Sequence, residues 1–127
     1  MSDTLFDKGH KLRQAVLGPE VVDEFLRTSD DFSMPMQRLS TEYCWGAVWS
    51  RPSLSLQTRS MLNIAILVAL NRPNVLKLHV KGALRNGCTR EEIREVLLQA
   101  AVYCGIPAGQ KGFKAAHEVF AEADTDK

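Results

Sequence analysis

Five side chains in this sequence have the types and spacing to do chemistry on a small anion: Trp45, Trp49, Arg51, Arg59 and His79. The tryptophans are the only two in the chain and lie four residues apart, with Arg51 two positions beyond the second. Residues at i and i+4 share one face of a helix, so two flat apolar rings would stand one turn apart beside a permanent cation. Such a group makes a dry wall ending in a carboxylate clamp. The same spacing also serves a core or a subunit interface, where aromatics dominate. Arg59 opens an otherwise apolar segment. It is either a solvated rim charge or an anion receptor, and with Arg51 it would make a two-pronged anion site. His79 falls on the apolar side of its segment, with Val75, Leu76, Val80, Ala83 and Leu84. A histidine there is either a satisfied core group or a proton carrier, since an ordinary pKa of about 6.5 allows transfer near neutrality. Lys77 and Lys81 lie on neighbouring faces and read as solvated or interfacial.

Helices must position these groups. No apolar/polar alternation persists among β-branched residues, whereas helical periodicity recurs throughout. It predicts a first helix from about Asp3 to Val16, with Leu5, Leu12, Ala15 and Val16 inward, broken by Gly18-Pro19. A second runs from Glu20 to Arg27. A third has Pro35 in its first turn and ends by Ser50, because Arg51-Pro52 disfavours continuation. Ser55 caps a central helix over 56–70, closed by Asn71-Arg72-Pro73. The next covers 74–85 and stops at Asn86-Gly87. Thr89 to Glu92 forms a capping box opening a helix to residue 103 or 104. Gly105-Ile106-Pro107 interrupts, a last helix spans about 108–121, and the tail from Asp124 frays. The expected fold is all-α, with about six or seven helices in a single domain, 1–127.

Composition closes off other classes. A net charge of +1 over 127 residues offers no electrostatic case for nucleic acid or an anionic membrane. The longest apolar run, Met61 to Leu70, is too short to span a bilayer and is broken by Asn63. No secretion signal is visible. Cys44, Cys88 and Cys104 are odd in number and make no C-x-x-C, which points to a reducing cytoplasm. His10, His79 and His117 have no ligand spacing, so no metal site is expected.

The blocks W-G-x-V-W-S-R-P-x-L, T-R-S-M-L, A-L-N-R-P, L-H-V-K-G-A-L-R-N-G, E-E-I-R-E-V-L-L and A-V-Y-C-G-I-P-A-G, in that order, resemble the γ-carboxymuconolactone decarboxylase family over about residues 5–121. The resemblance implies an alkylhydroperoxidase D-like helical fold, a ring-shaped homo-oligomer (often a hexamer, a trimer of dimers) and no cofactor. It also implies decarboxylation of 4-carboxymuconolactone to 3-oxoadipate enol-lactone in the β-ketoadipate pathway. The alkylhydroperoxidase branch carries C-x-x-C-x-x-x-H. Counting back from His79, its cysteines fall at Arg72 and Val75 and its acid at Ser60, so thiol peroxidase chemistry lacks its nucleophiles here. Typical decarboxylases read W-G-E-V-W-S-R-P-G-L, whereas this chain has Ala47 and Ser53. If that glutamate transfers a proton, Ala47 cannot.

The implied reaction suits the residues. The leaving carboxylate is γ to the lactone carbonyl through a double bond, so the cleavage electrons flow into a dienolate and the substrate is its own electron sink. The protein must orient the substrate, stabilise charge on the lactone oxygen and supply a proton. His79 is expected to donate the proton. Arg59 and Arg51 are expected to bind carboxylate and stabilise the oxyanion, in exchangeable roles, with Trp45 and Trp49 as the dry wall. A protomer this small would have its pocket completed by neighbouring copies. Two alternatives stand beside this reading: a paralogue acting on a related lactone or carboxylic acid, and a non-catalytic oligomeric binding protein.

Overall fold

Thr4 starts the first helix, because its hydroxyl accepts the Asp7 amide while the Asp7 carboxylate accepts the Thr4 amide. The computed structural model describes residues 4–126, so the expected start at Asp3 lies outside the described residues. From Thr4 the chain runs through α1 (Leu5–Leu17), α2 (Pro19–Arg27), α3 (Met34–Leu39), a π-helix (Ser40–Trp49), α4 (Leu56–Ala69), α5 (Pro73–Arg85), α6 (Arg90–Cys104) and α7 (Ile106–Thr125). No strand occurs among the described residues. The contacts gather into two compact units, Met1–Ser55 and Leu56–Lys127.

In the first unit α1 packs along the π-helix and against α2, and α3 runs into the π-helix. The expected inner face of α1 needs correction. Leu5 is 47% exposed and Ala15 is exposed, whereas Gly9, Arg13, Val16 and Leu17 are buried. Backbone proximity is the reason. A Cβ on Gly9 would stand 1.9 Å from the Thr41 carbonyl oxygen, and one on Gly46 would stand 2.5 Å from the Leu5 carbonyl oxygen. Two helices touching main chain to main chain need glycine at the crossing, so the apolar periodicity of α1 does not mark its buried side. The third helical stretch ends by Ser50 as expected, and from Ser40 it is wound as a π-helix. The wider i→i+5 turn is rare, and here it ends where the Ser50 hydroxyl donates to the Gly46 carbonyl.

The second unit pairs α4 with α5 and α6 with α7. Each helix also packs on one of the other pair, α4 on α6 and α5 on α7. Its core centres on Ile64, Val80, Ile93 and Leu97, all nearly inaccessible. Asn71, in the left-handed region at φ 56°, turns the chain out of α4, a conformation asparagine tolerates. Gly87 at φ 91° does the same after α5. Asn86 donates from Nδ2 to Ser60 Oγ at 2.9 Å, tying the end of α5 to the start of α4. Thr89 and Glu92 form the expected capping box. Pro107 falls in the first turn of α7 rather than before it, so α7 starts at Ile106 and runs on to Thr125, beyond the expected end.

Candidate active site

In the second unit α4 and α5 lie side by side and bring Asn63 to His79. The Asn63 side-chain nitrogen is 3.4 Å from His79 Nδ1. Asn63 is thus the polar neighbour of the His79 ring across the α4–α5 contact. His79 is 8% exposed, and burial pushes its pKa down from 6.5 to about 4. The resting site therefore holds a neutral imidazole at physiological pH, not the imidazolium that a group near its ordinary pKa would supply in part. Arg59, half-buried, lies one turn before Asn63 on the same helix, and residues four apart share a face. Asn63 is the residue that sequence reasoning missed. It registers there only as an interruption of an apolar run; its signal was being the one amide inside that run, one turn after the arginine.

Lys77 and Lys81 pair across to α7, with Glu118 and with Glu122 at 3.1 Å respectively. They are interfacial within the unit rather than freely solvated, and exposed pairs of this kind contribute little stability. Several clefts open on this unit, two of them large. One, of about 570 Å³, lies between α6 and α7 and includes Arg94, Phe113, Lys114 and His117. The other, of about 560 Å³, lies between α4 and α6 and includes Leu62, Ala65 and Gln99. Neither is lined by His79.

In the first unit the π-helix stacks Trp45 on Trp49, ring centroids 4.5 Å apart and planes 25° apart. The tryptophans share a face as expected. At 3% and 4% exposed they form a covered aromatic layer rather than an open wall. Ala47, between them in sequence, is exposed, so the position where typical relatives carry glutamate faces away from the stacked pair. Arg51 follows the π-helix as an exposed residue whose amide donates to the Val48 carbonyl at 3.0 Å. Among the described residues no three histidine, cysteine or acidic side chains converge as a metal site, and no helix is long and apolar enough to cross a membrane.

Comparison with known proteins places this arrangement. The carboxymuconolactone decarboxylase family model matches residues 35–118. A nitrosuccinic acid decarboxylase from Metarhizium robertsii is 47% identical over 82% of this chain and 73% of its own length. A 4-carboxymuconolactone decarboxylase from Acinetobacter baylyi is 37% identical over 91% of this chain and 86% of its own. The matched region includes the π-helix, α4 and α5, and takes in Trp45, Trp49, Arg51, Arg59, Asn63 and His79. The chain belongs to the carboxymuconolactone decarboxylase family.

Proposed function

We propose that the chain is a carboxy-lyase that removes carbon dioxide from a dicarboxylate whose scissile carbon is joined to an electron sink, using no cofactor. The observation that carries this reading is the buried His79 beside Asn63, which lies one turn after Arg59 on the facing helix. The names of the two relatives supply the substrate chemistry. Nitrosuccinic acid and 4-carboxymuconolactone are both succinates in which one carbon bears a carboxylate, a carboxymethyl group and an electron-accepting function. In the lactone the carbon–carbon bond electrons pass through the double bond to the ring carbonyl, carbon dioxide leaves, and a proton adds to the carbon beside that carbonyl. In the nitro acid the same electrons form a nitronate, and the proton returns to the carbon that lost the carboxylate.

Arg59 is assigned to the developing negative charge, where a fixed donor contributes most, and His79 to the proton. A neutral resting imidazole fits this role, because a dianionic substrate beside the ring raises its proton affinity. The proton is then taken up with the substrate and delivered to the carbanion. Arg51, Trp45 and Trp49, all in the first unit, are assigned to substrate binding on the family resemblance alone. Neighbouring copies in a homo-oligomer, a hexamer in the family's manner, complete the pocket.

4-Carboxymuconolactone is the substrate proposed. The second reading, turnover of nitrosuccinic acid, is favoured by the higher identity of that relative and by Ala47 in place of the usual glutamate. Carbon dioxide release from purified protein, measured on both acids in parallel, separates the two by kcat/KM. Release from neither acid would overturn the decarboxylase reading and favour the non-catalytic binding protein.

A further inference from the structure

Arg13 on α1 is 6% exposed, and among the described residues no other permanently charged side chain is buried. A buried cation is costly unless its donors and its face are satisfied; here neutral groups meet Nη1 and the face of the guanidinium, while the buried Nε has no hydrogen-bond partner. Nη1 donates to Gln37 Oε1 at 2.9 Å and to Thr41 Oγ1 at 3.4 Å, and the guanidinium lies 5.3 Å from the centroid of the Phe25 ring. Gln37 and Thr41 stand on either side of the point where α3 becomes the π-helix at Ser40. There the hydrogen-bond ladder shifts from i→i−4 to i→i−5, and carbonyls at the shift lose their regular partners. The Gln37 carbonyl accepts there from the Ser40 amide and also from the Thr41 hydroxyl, the latter at 2.8 Å. With its hydrogen committed there, the hydroxyl oxygen is left as an acceptor, and Arg13 fills it. One side chain thus holds both ends of the junction.

We propose that Arg13 is a positioning residue that sets the winding of the π-helix and, through it, the stacking of Trp45 on Trp49. The wide turn is rarely stable unaided, and nothing in its own sequence supplies the buried donor. The indoles follow in the next turn, so a relaxation of the junction to α-winding would rotate Trp45 and Trp49 out of their present stack. This concerns the first unit alone and stands apart from the proposed reaction; only its effect on turnover rests on that reading.

Both tryptophans of the chain belong to the pair, so their exciton couplet in far-ultraviolet circular dichroism reports the stacking without background, and Trp45→Phe defines its absence. Arg13→Met and Thr41→Val are expected to remain helical and lose the couplet, while Thr41→Ser, which keeps the hydroxyl, retains it. A full couplet in folded Arg13→Met and Thr41→Val would overturn the inference. Should Arg13→Met not fold, Thr41→Val, which exchanges one hydroxyl for a methyl, decides alone. Where the couplet is lost, turnover should fall on the order of 10²-fold, as misplacement of a binding surface does. Loss of the couplet with unchanged turnover would support the role of Arg13 and remove the tryptophans from the substrate site.

Discussion

At the scale of single residues, burial of His79 couples folding to pH. Its pKa is about 4 in the folded chain against 6.5 ordinarily. Above pH 6.5 the ring is neutral in both states and the shift has no effect on stability. As pH falls from 6.5 towards 4, the unfolded chain takes up a proton that the folded chain refuses, so stability declines; below 4 both states bind it. The loss across this window is about 3 kcal/mol. Urea unfolding of wild type and His79→Gln at several pH values in the window should show this slope in the former and its absence in the latter. At neutral pH the same variant tests catalysis. If His79 delivers the proton, His79→Gln folds and loses on the order of 10²–10⁴-fold in turnover. If the ring is only a core group, the variant loses about 1–3 kcal/mol of stability and the folded fraction turns over normally.

At the scale of elements, two substitutions contrast what local sequence shows with what packing shows. Thr89→Ala removes one half of the capping box of α6 and should lower stability by about 1 kcal/mol. That cap is legible as a threonine three residues before a glutamate. Gly9→Ala is milder by composition and harsher by structure. The new methyl would meet the Thr41 carbonyl oxygen at 1.9 Å, a main-chain atom that cannot swing aside. Overpacking of this kind costs about 1–3 kcal/mol or more, so thermal melting should rank Gly9→Ala below Thr89→Ala. Because the clash falls on the residue that Arg13 holds, the tryptophan couplet should weaken as well. A Gly9→Ala protein melting with wild type would mean that α1 and the π-helix can separate without loss.

At the scale of the whole molecule, α4 and the residue that follows it present Leu62, Ile66 and Leu70 at 49%, 50% and 55% exposure, spaced by four along the chain. Val102 and Tyr103, near the end of α6, are 77% and 81% exposed. Apolar surface of this extent is characteristic of a protein interface, in keeping with the self-association proposed above. Light scattering should give a mass several times 14.2 kDa, and Ile66→Arg, which sets a charge in the middle of the α4 stripe, should lower it. A wild-type monomer at micromolar concentration would remove the proposal that neighbouring copies complete the pocket.

The all-helical class, nearly every break between helices and the inward side of α5 apart from Val75, which is 42% exposed, were legible in the sequence, because caps, prolines, αL residues and apolar periodicity act over a few neighbouring positions. Those local signals placed Trp45 and Trp49 on one face and His79 towards the core. They were silent on Asn63, which becomes a partner of His79 only when α4 and α5 pack. They misjudged α1, whose buried side is marked by a glycine and an arginine rather than by its leucines. They also missed the π-helix, because its winding is held by Arg13, some thirty residues away in sequence. The lowered pKa of His79 belongs to the same class, since desolvation is a property of what surrounds a side chain and not of its type. Short-range chemistry set the elements and the candidate groups; contacts between residues distant in the chain decided the winding and the charge state.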